Sequence, residues 1–295
     1  MTDNQQISRK CGALCLIGYP IAHSKSPALF QAAYPRLNAT YGLIEEPDLE
    51  KGMERFLREG FTGANITAPF KDEIFWYITR PDRVSALLQS ANIILRKGAE
   101  IESYNSDYYG VRTSIEELVA GRMRYAEGRR GEELGILRSF VADGYRCALV
   151  IGAGGAGKAA ALALKELGIK VFLANRSREK TLEFIRGLNA AGANQAVQTP
   201  SAEYIPLNEI SACAGQCGLV VYALSFAIPE LAETDLRGKI VFEANYGHPN
   251  LLPENPGTGP YFYLSGKYWL YNQAVPAFHL FTGLEPDTEA MWEIL

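Results

Sequence analysis

Short apolar runs rich in Val, Ile, Leu and Phe alternate along this chain with longer segments of helical character. The runs predict strands over residues 13–17, 63–67, 147–151, 171–174, 219–223 and 240–244, and the segments between them predict helices over 27–37, 156–167 and 178–190. Strand–helix alternation of this kind argues for parallel sheets covered by helices. Near the C-terminal end, GKYWLYNQAVPAFHLFTG places Leu270, Ala274, Ala277, Phe278 and Phe281 on one helical face. Pro276 interrupts that pattern, because a proline removes one helical hydrogen bond, so a kink or a join between two helices is expected there.

At 295 residues the chain is long enough for two domains, each with its own core. A domain change is expected just after Gly110, with residues 111–119 as a connecting helix; the charged, glycine-bearing stretch 121–144 reads as a surface insertion. Hydrophobic residues make up 47% and charged residues 21%, an ordinary globular composition. The formal net charge of −4 offers no basic field for nucleic acid or an anionic membrane. A local basic cluster, Arg122 to Arg130, is followed at once by Glu132 and Glu133 and reads as solvated surface. No apolar run approaches the roughly 18 residues of a membrane span, and MTDNQQISRK lacks the apolar core of a signal peptide. A cytoplasmic enzyme or binding protein, without nucleic-acid or membrane partners, fits this composition. Five cysteines (11, 15, 147, 213 and 217) include two Cys-x-x-x-Cys spacings, but none of the three histidines stands near either pair. Reduced, mostly buried thiols and no metal are expected.

The strongest local motif is CALVIGAGGAGKAAALAL, a strand that runs through Gly152-Ala153-Gly154-Gly155-Ala156-Gly157 into an alanine-rich helix. Gly152 permits the tight turn, Gly154 lets backbone approach a pyrophosphate, and Gly157 allows close helix–strand packing. The helix N-terminus then offers free N–H groups and partial positive charge to the phosphates. In strand–turn–helix context this pattern predicts nucleotide binding; the bland alternative is a glycine turn that only packs tightly. The following strand ends in Asn175-Arg176-Ser177. A chain preferring NAD usually carries Asp or Glu there, which would repel a 2′-phosphate, whereas Arg176 can pair with it. NADP is the expected cofactor, unless Arg176 simply begins a solvated helix.

Three further stretches carry candidate chemistry. GYPIAHSKSPALF sets Ser24 and Ser26 beside a helix start, where they suit an anionic or hydroxylated ligand or an ordinary cap. GANITAPFKDEI places Asn65, Thr67 and Lys71 around a turn containing Pro69. YNSDYYG presents Asp107 in a run whose side chains commonly bond their own backbone, so that residue either caps the next helix or brings charge to a site.

Together these pieces resemble the shikimate dehydrogenase family: GYPIAHSKSP at 18–27, GANITAPFK at 63–71, NSDYYG at 105–110, the glycine loop at 152–157, NRS at 175–177, and Gly266, Gln273, Phe278 and Thr282-Gly283. They span almost the whole chain in family order. The resemblance implies a two-domain α/β protein. An N-terminal substrate domain with a parallel-rich sheet (1–110 with 267–295) would face a Rossmann-type NADP domain (111–266) across a cleft. It implies reversible reduction of 3-dehydroshikimate to shikimate in aromatic biosynthesis, by a monomer or homodimer. Ser24 and Ser26 would hold the substrate carboxylate; Thr67, Asn92 and Gln273 its ring hydroxyls; Tyr246 would be a further substrate contact. Lys71 and Asp107 would be the catalytic pair, and Gly152 to Gly157, Asn175 to Ser177 and Gly266 the cofactor contacts. A free lysine is a poor base at neutral pH, so Asp107 would orient the ammonium and share in proton exchange through water.

The chain also departs from the family pattern. Asn-Thr-Asp becomes Asn105-Ser106-Asp107, and Val-Asn-Thr becomes Ala91-Asn92-Ile93. Asn-Ala-Thr-Ser becomes Tyr222-Ala223-Leu224-Ser225, and Asp-x-x-Tyr-x-Pro becomes Glu243-Ala244-Asn245-Tyr246-Gly247-His248-Pro249. A relative acting on quinate or an aminated analogue is the nearest alternative, against which the presence of both Ser24 and Ser26 speaks, and the altered segments at 222–225 and 243–249 leave open a catalytically silent NADP-binding regulator. Retention of Lys71 and Asp107 speaks against the regulator.

Overall fold

The computed structural model describes residues 12–37, 39–123, 135–136, 139–140, 146–193, 200–254 and 259–295. They divide into two compact units, Met1–Ser106 with Tyr271–Leu295, and Asp107–Leu270. Most of the basic cluster, most of the stretch read as an insertion, and Cys11 lie outside the described residues. The other four cysteines are free thiols.

The first unit is built on a mixed six-stranded sheet. Its strands are β1 (Ala13–Gly18), β2 (Tyr41–Glu45), β3 (Phe61–Ile66), β4 (Arg80–Pro81), β5 (Ile93–Lys97) and β6 (Glu100–Tyr104), in the order β2-β1-β3-β5-β6-β4. Strands β1, β2 and β3 run parallel, whereas β5 pairs antiparallel with both β3 and β6. The β5–β6 hairpin turns at Gly98, whose φ of +66° is a conformation glycine adopts without steric cost. Cys15, Ile17, Ile44, Ala64, Ile66 and Ile94 meet Met53 and Phe56 of the helix Leu49–Arg58 in one core, where each fully buried side chain contributes about 1.5–3 kcal/mol. Asp48 caps that helix, accepting from the N–H groups of Glu50 and Lys51.

The helix Ser26–Ala33 ends four residues short of the predicted limit at 37. Pro35 follows Tyr34, and a residue before proline is pushed out of the helical region; Tyr34 has φ −140° and ψ 64°. The C-terminal residues return to this unit. The indole-bearing helix Thr288–Glu293 is tied to the first helix by Asp287 N–H donating to Ala33 O at 2.9 Å. Phe278 packs edge-on against Phe30, with ring centroids 5.4 Å apart. The long helix Gly266–Thr282 runs unbroken through Pro276, so two joined helices are not what forms. The buried apolar face survives, since Leu270, Ala274, Ala277, Phe278 and Phe281 are all buried; Pro276 merely has no N–H for the Asn272 carbonyl.

The second unit holds a six-stranded sheet that is parallel throughout. Its strands are β7 (Cys147–Ile151), β8 (Lys170–Ala174), β9 (Ala202–Ile205), β10 (Leu219–Tyr222), β11 (Ile240–Glu243) and β12 (Phe262–Leu264). The order β12-β11-β10-β7-β8-β9 is the doubly wound arrangement, with its topological switch between β7 and β10. Helices cover both faces of such a sheet, which is why its central strands read as continuous apolar runs. The helix expected over 111–119 begins four residues earlier and spans Asp107–Val119.

Gly63 tests the packing of the first unit. A Cβ added there would lie 2.9 Å from Phe281 Cδ1 and 3.0 Å from Leu14 Cδ2. Gly63→Ala is expected to destabilise the protein by about 1–3 kcal/mol through overpacking. Calorimetric melting measures this directly; an unchanged Tm would mean that Phe281 yields without cost.

Candidate active site

In the first unit, the loop after β1 presents Ser24 and Ser26, both half-buried. Ser24 Oγ accepts from Ser26 N–H and donates to Ser26 Oγ, each at 3.2 Å. The residue in the cap position is Lys25, which makes no side-chain cap bond, so neither serine is the cap of the helix Ser26–Ala33. Lys25 Nζ instead donates to Ile294 O at 2.9 Å and fastens this loop to the C-terminal segment.

From Ser26 a polar run crosses the unit. The Tyr41 hydroxyl bonds Ser26, and burial pushes its pKa well above the ordinary range. Tyr41 O–H donates to Asn65 Oδ1 at 2.7 Å, and Asn65 Nδ2 donates to Asn92 O at 3.3 Å. The Asn92 amide, only 3% exposed, then donates to Gln273 Oε1 at 3.2 Å and to Ser106 Oγ at 3.0 Å. Its Oδ1 accepts from Ser106 N–H at 2.7 Å. The structure therefore joins Asn92 and Gln273, which stand 181 residues apart, and sets Ser24 and Ser26 at the other end of the same run. Tyr41 enlarges the predicted set, and Asn65, named there without a role, acquires one. Asn65 had a legible signal, a polar residue inside an apolar strand, whereas Tyr41 stood in no motif.

Thr67 and Lys71 occupy the turn after β3. Thr67 O accepts from Phe70 N–H at 3.0 Å, and Lys71 O accepts from Ala91 N–H at 2.8 Å and Ser90 Oγ at 3.1 Å. Lys71 is thus anchored at the residues that immediately precede Asn92. Asn105 Nδ2 donates to Ser90 O at 3.0 Å, while its buried Oδ1 has no partner.

In the second unit Asp107 is the first residue of the helix Asp107–Val119 and is 2% exposed. Its Oδ1 accepts from Trp269 Nε1 at 3.2 Å. A carboxylate at a helix N-terminus also gains from the helix dipole. Trp269 was not legible as a partner, because 162 residues separate the two.

The glycine loop joins β7 to the helix Gly155–Glu166, and two of its glycines are demanded by the protein itself. Gly152 has φ +102°, and a Cβ there would meet Leu224 Cδ2 at 2.8 Å. A Cβ on Gly157 would lie 1.8 Å from Gly152 O, which no adjustment of a side chain relieves. Gly154 differs. Its backbone is extended, it caps the helix without a side chain, and a Cβ there would meet no atom of the described residues within 4 Å. Packing does not require glycine at 154, whereas a phosphate brought against the helix N-terminus does. These residues fit a dinucleotide. Beyond β8, Asn175 Nδ2 donates to Thr181 Oγ1 at 3.1 Å and is partly committed to shaping the loop. Ser177 O accepts from Thr181 Oγ1 at 2.6 Å. Arg176 is exposed. Gly266 has a packing reason of its own, since a Cβ there would lie 2.4 Å from Ala244 O.

Two of the segments that depart from the family pattern, 222–225 and 243–249, are bonded to each other. Tyr222 is buried, donates to Phe226 O at 2.6 Å, and has its pKa pushed up to about 12 by burial with the Glu243 charge adding. Asn245 Nδ2 donates to Ser225 O at 3.4 Å, joining the 222–225 segment to the loop that carries half-buried Tyr246.

Residues 16–94 match the shikimate dehydrogenase substrate binding domain. A shikimate dehydrogenase (NADP(+)) of Archaeoglobus fulgidus is 32% identical, over 95% of this chain and 96% of that one. A crystal structure of shikimate 5-dehydrogenase from Thermus thermophilus, in complex with NADP(H) and shikimate, is 25% identical with a TM-score of 0.70, covering 96% of this chain and 97% of that one. A quinate dehydrogenase from Corynebacterium glutamicum in complex with NAD shares the fold, with a TM-score of 0.73 at 23% identity over 96% and 97% of the two chains. A relative this similar over nearly its whole length, together with the substrate-domain match, means that the chain belongs to the shikimate dehydrogenase family.

Proposed function

We propose that this protein is an NADP-dependent dehydrogenase that interconverts 3-dehydroshikimate and shikimate. The observation that carries the reading is the hydrogen-bonded run from Ser24 to Gln273, in the same unit as the anchored Lys71 turn. A polyhydroxylated ring acid needs an array of hydroxyl and amide groups that both donate and accept, and it needs them held in place beforehand. In this reading Ser24 and Ser26 bind the carboxylate, Thr67, Asn92 and Gln273 the ring hydroxyls, and Tyr246 adds a further substrate contact. Asn65 and Tyr41 hold Asn92 and Ser26 in register.

Bound NADPH supplies the hydride that reduces the ketone carbon. The Lys71 ammonium stabilises the negative charge growing on the carbonyl oxygen and gives it a proton. The Asp107 carboxylate, fixed by the Trp269 indole N–H, orients the ammonium and takes part in the proton's return in the oxidative direction. Gly152 to Gly157 receive the pyrophosphate, Arg176 pairs with the 2′-phosphate, and Asn175, Ser177 and Gly266 shape the remaining contacts.

The direct test mixes the protein with shikimate or quinate and with NADP+ or NAD+, and follows absorbance of the reduced nucleotide. Turnover of shikimate with NADP+ is expected; turnover of quinate alone would move the assignment to that relative, and no turnover of either acid would leave the silent regulator.

Two cofactor variants separate packing from binding. Gly154→Ala should leave the melting temperature of the nucleotide-free protein unchanged, because its Cβ points into open space, yet should weaken NADP+ binding measured by calorimetry. Arg176→Asp should weaken NADP+ by several kcal/mol, on the order of the loss of a charge-assisted bond plus repulsion, and NAD+ far less. Parental NADP+ affinity in Arg176→Asp would remove that residue from the phosphate site.

Lys71→Ala and Asp107→Ala should each lower kcat by roughly 10²–10⁴-fold. The double variant should be little worse than the more damaging single one, because residues that act as one unit are non-additive. A folded Asp107→Ala protein with near-parental turnover would confine Asp107 to a structural role.

A further inference from the structure

Glu243 ends β11 with a fully buried side chain, 0% exposed. Its two oxygens take four donors. Oε1 accepts from Asn250 N–H and from Asn250 Nδ2, the latter at 3.0 Å, and Oε2 accepts from Leu251 N–H and Tyr263 O–H, both at 3.0 Å. Burying a carboxylate is expensive unless its lone pairs are filled, and here they are filled largely by the far end of the loop that Glu243 itself begins. The near end of that loop is closed too. Asn245 Oδ1 accepts from His248 N–H at 3.1 Å, and Asn245 Nδ2 donates to His248 O at 2.6 Å. Tyr246 and Gly247 are the two residues enclosed by that turn.

We propose that Glu243 is a positioning residue for the substrate step: it fixes the loop 244–251 so that the turn carrying Tyr246 is preset for shikimate. Two departures from the family pattern then belong to one device. Glutamate stands where the family has aspartate, and two residues rather than one separate Tyr246 from Pro249. The longer arm spans the longer loop and reaches the backbone of Asn250 and Leu251. Packing alone does not explain the residue, since an apolar side chain of the same length would fill the volume without placing four donors. The inference rests on the reading of Tyr246 as a substrate contact.

The test is a double-mutant cycle between this carboxylate site and Tyr246. Glu243→Gln keeps the volume but turns an N–H₂ toward two of the four donors. Asn250→Ala removes one donor from the half-buried loop and remains informative if Glu243→Gln does not fold. Tyr246→Phe removes the proposed contact itself. Shikimate KM and calorimetric Kd are measured for each variant and for each combination with Tyr246→Phe, beside KM for NADP+. A rise in both shikimate constants of about threefold to tenfold is expected, the scale of one lost neutral hydrogen bond. NADP+ KM should stay at the parental value, and Tyr246→Phe should add little to either variant. Parental shikimate constants in folded Asn250→Ala, or effects that simply multiply with Tyr246→Phe, would reduce Glu243 to a stability element and overturn the proposal. A parental protein that neither binds nor oxidises shikimate overturns the functional reading first, and this inference with it.

Discussion

The buried amide of Asn92 is the constraint on which the first unit's candidate site depends. An amide taken out of water without partners costs roughly 2–7 kcal/mol, so its hydrogen bonds dictate what may stand around it. Here they dictate a great deal. The amide fixes Ser106 through both backbone and hydroxyl, and holds Gln273 on the returning helix. The Asn92 carbonyl holds Ile66 N–H and the Asn65 side chain of β3. Four segments distant in sequence thereby acquire one register, and Asn92 and Gln273, two of the groups assigned to the substrate's hydroxyls, are aligned before any ligand arrives. Such preorganisation is what allows binding energy to be used for orientation.

The second unit relies on a different kind of constraint, the absence of side chains. Gly157 cannot carry a Cβ because the Gly152 carbonyl already occupies the place, and this approach sets the helix Gly155–Glu166 against its strand. The helix N-terminus then opens at Gly154, where no atom of the described residues would meet an added Cβ within 4 Å. Packing demands glycine at 152 and 157 and makes no such demand at 154, a division that the motif alone cannot make.

How much of this was legible in the sequence follows from where the physical signal was local. The strand Cys147–Ile151 has the predicted bounds because a strand buried on both faces is a continuous apolar run. Tyr41–Glu45 and Ala202–Ile205 are short and mostly half-exposed, Ile93–Lys97 has only three apolar residues before Arg96, and Glu100–Tyr104 buries Glu102 and Ser103, so none of them reads as a long apolar run. The helix beginning at Asp107 looked four residues shorter because Gly110 is a poor helix former; tertiary packing overrides that preference, and Ser114 Oγ donates to the Gly110 carbonyl at 2.6 Å. Among site residues, Ser24, Ser26, Thr67, Asn92 and Gln273 were named from motifs, but the bond between Asn92 and Gln273 was not, since no spacing rule connects the two. Tyr41, one of sixteen tyrosines, acquires its place only when β2 is laid beside β1.

The departures from the family pattern, taken one residue at a time, left a catalytically silent NADP-binding regulator open. Taken in three dimensions they compensate one another. Leu224 lies against Gly152, so the apolar replacement covers the turn that begins the cofactor loop. Tyr222, too large and too polar for a central strand end on its own, is buried with its hydroxyl satisfied by the Phe226 carbonyl. Tyr222 is also in register with Glu243 on the neighbouring strand, and Glu243 in turn secures the loop whose Asn245 reaches back to Ser225. A buried tyrosine hydroxyl or carboxylate without partners is costly, and here Tyr222, Glu243 and Asn245 all have them. Mutually satisfied substitutions are what selection for a working loop leaves behind, whereas a segment released from function accumulates changes without partners. The altered strand ends therefore favour an enzyme with a rebuilt site over a regulator that has lost one.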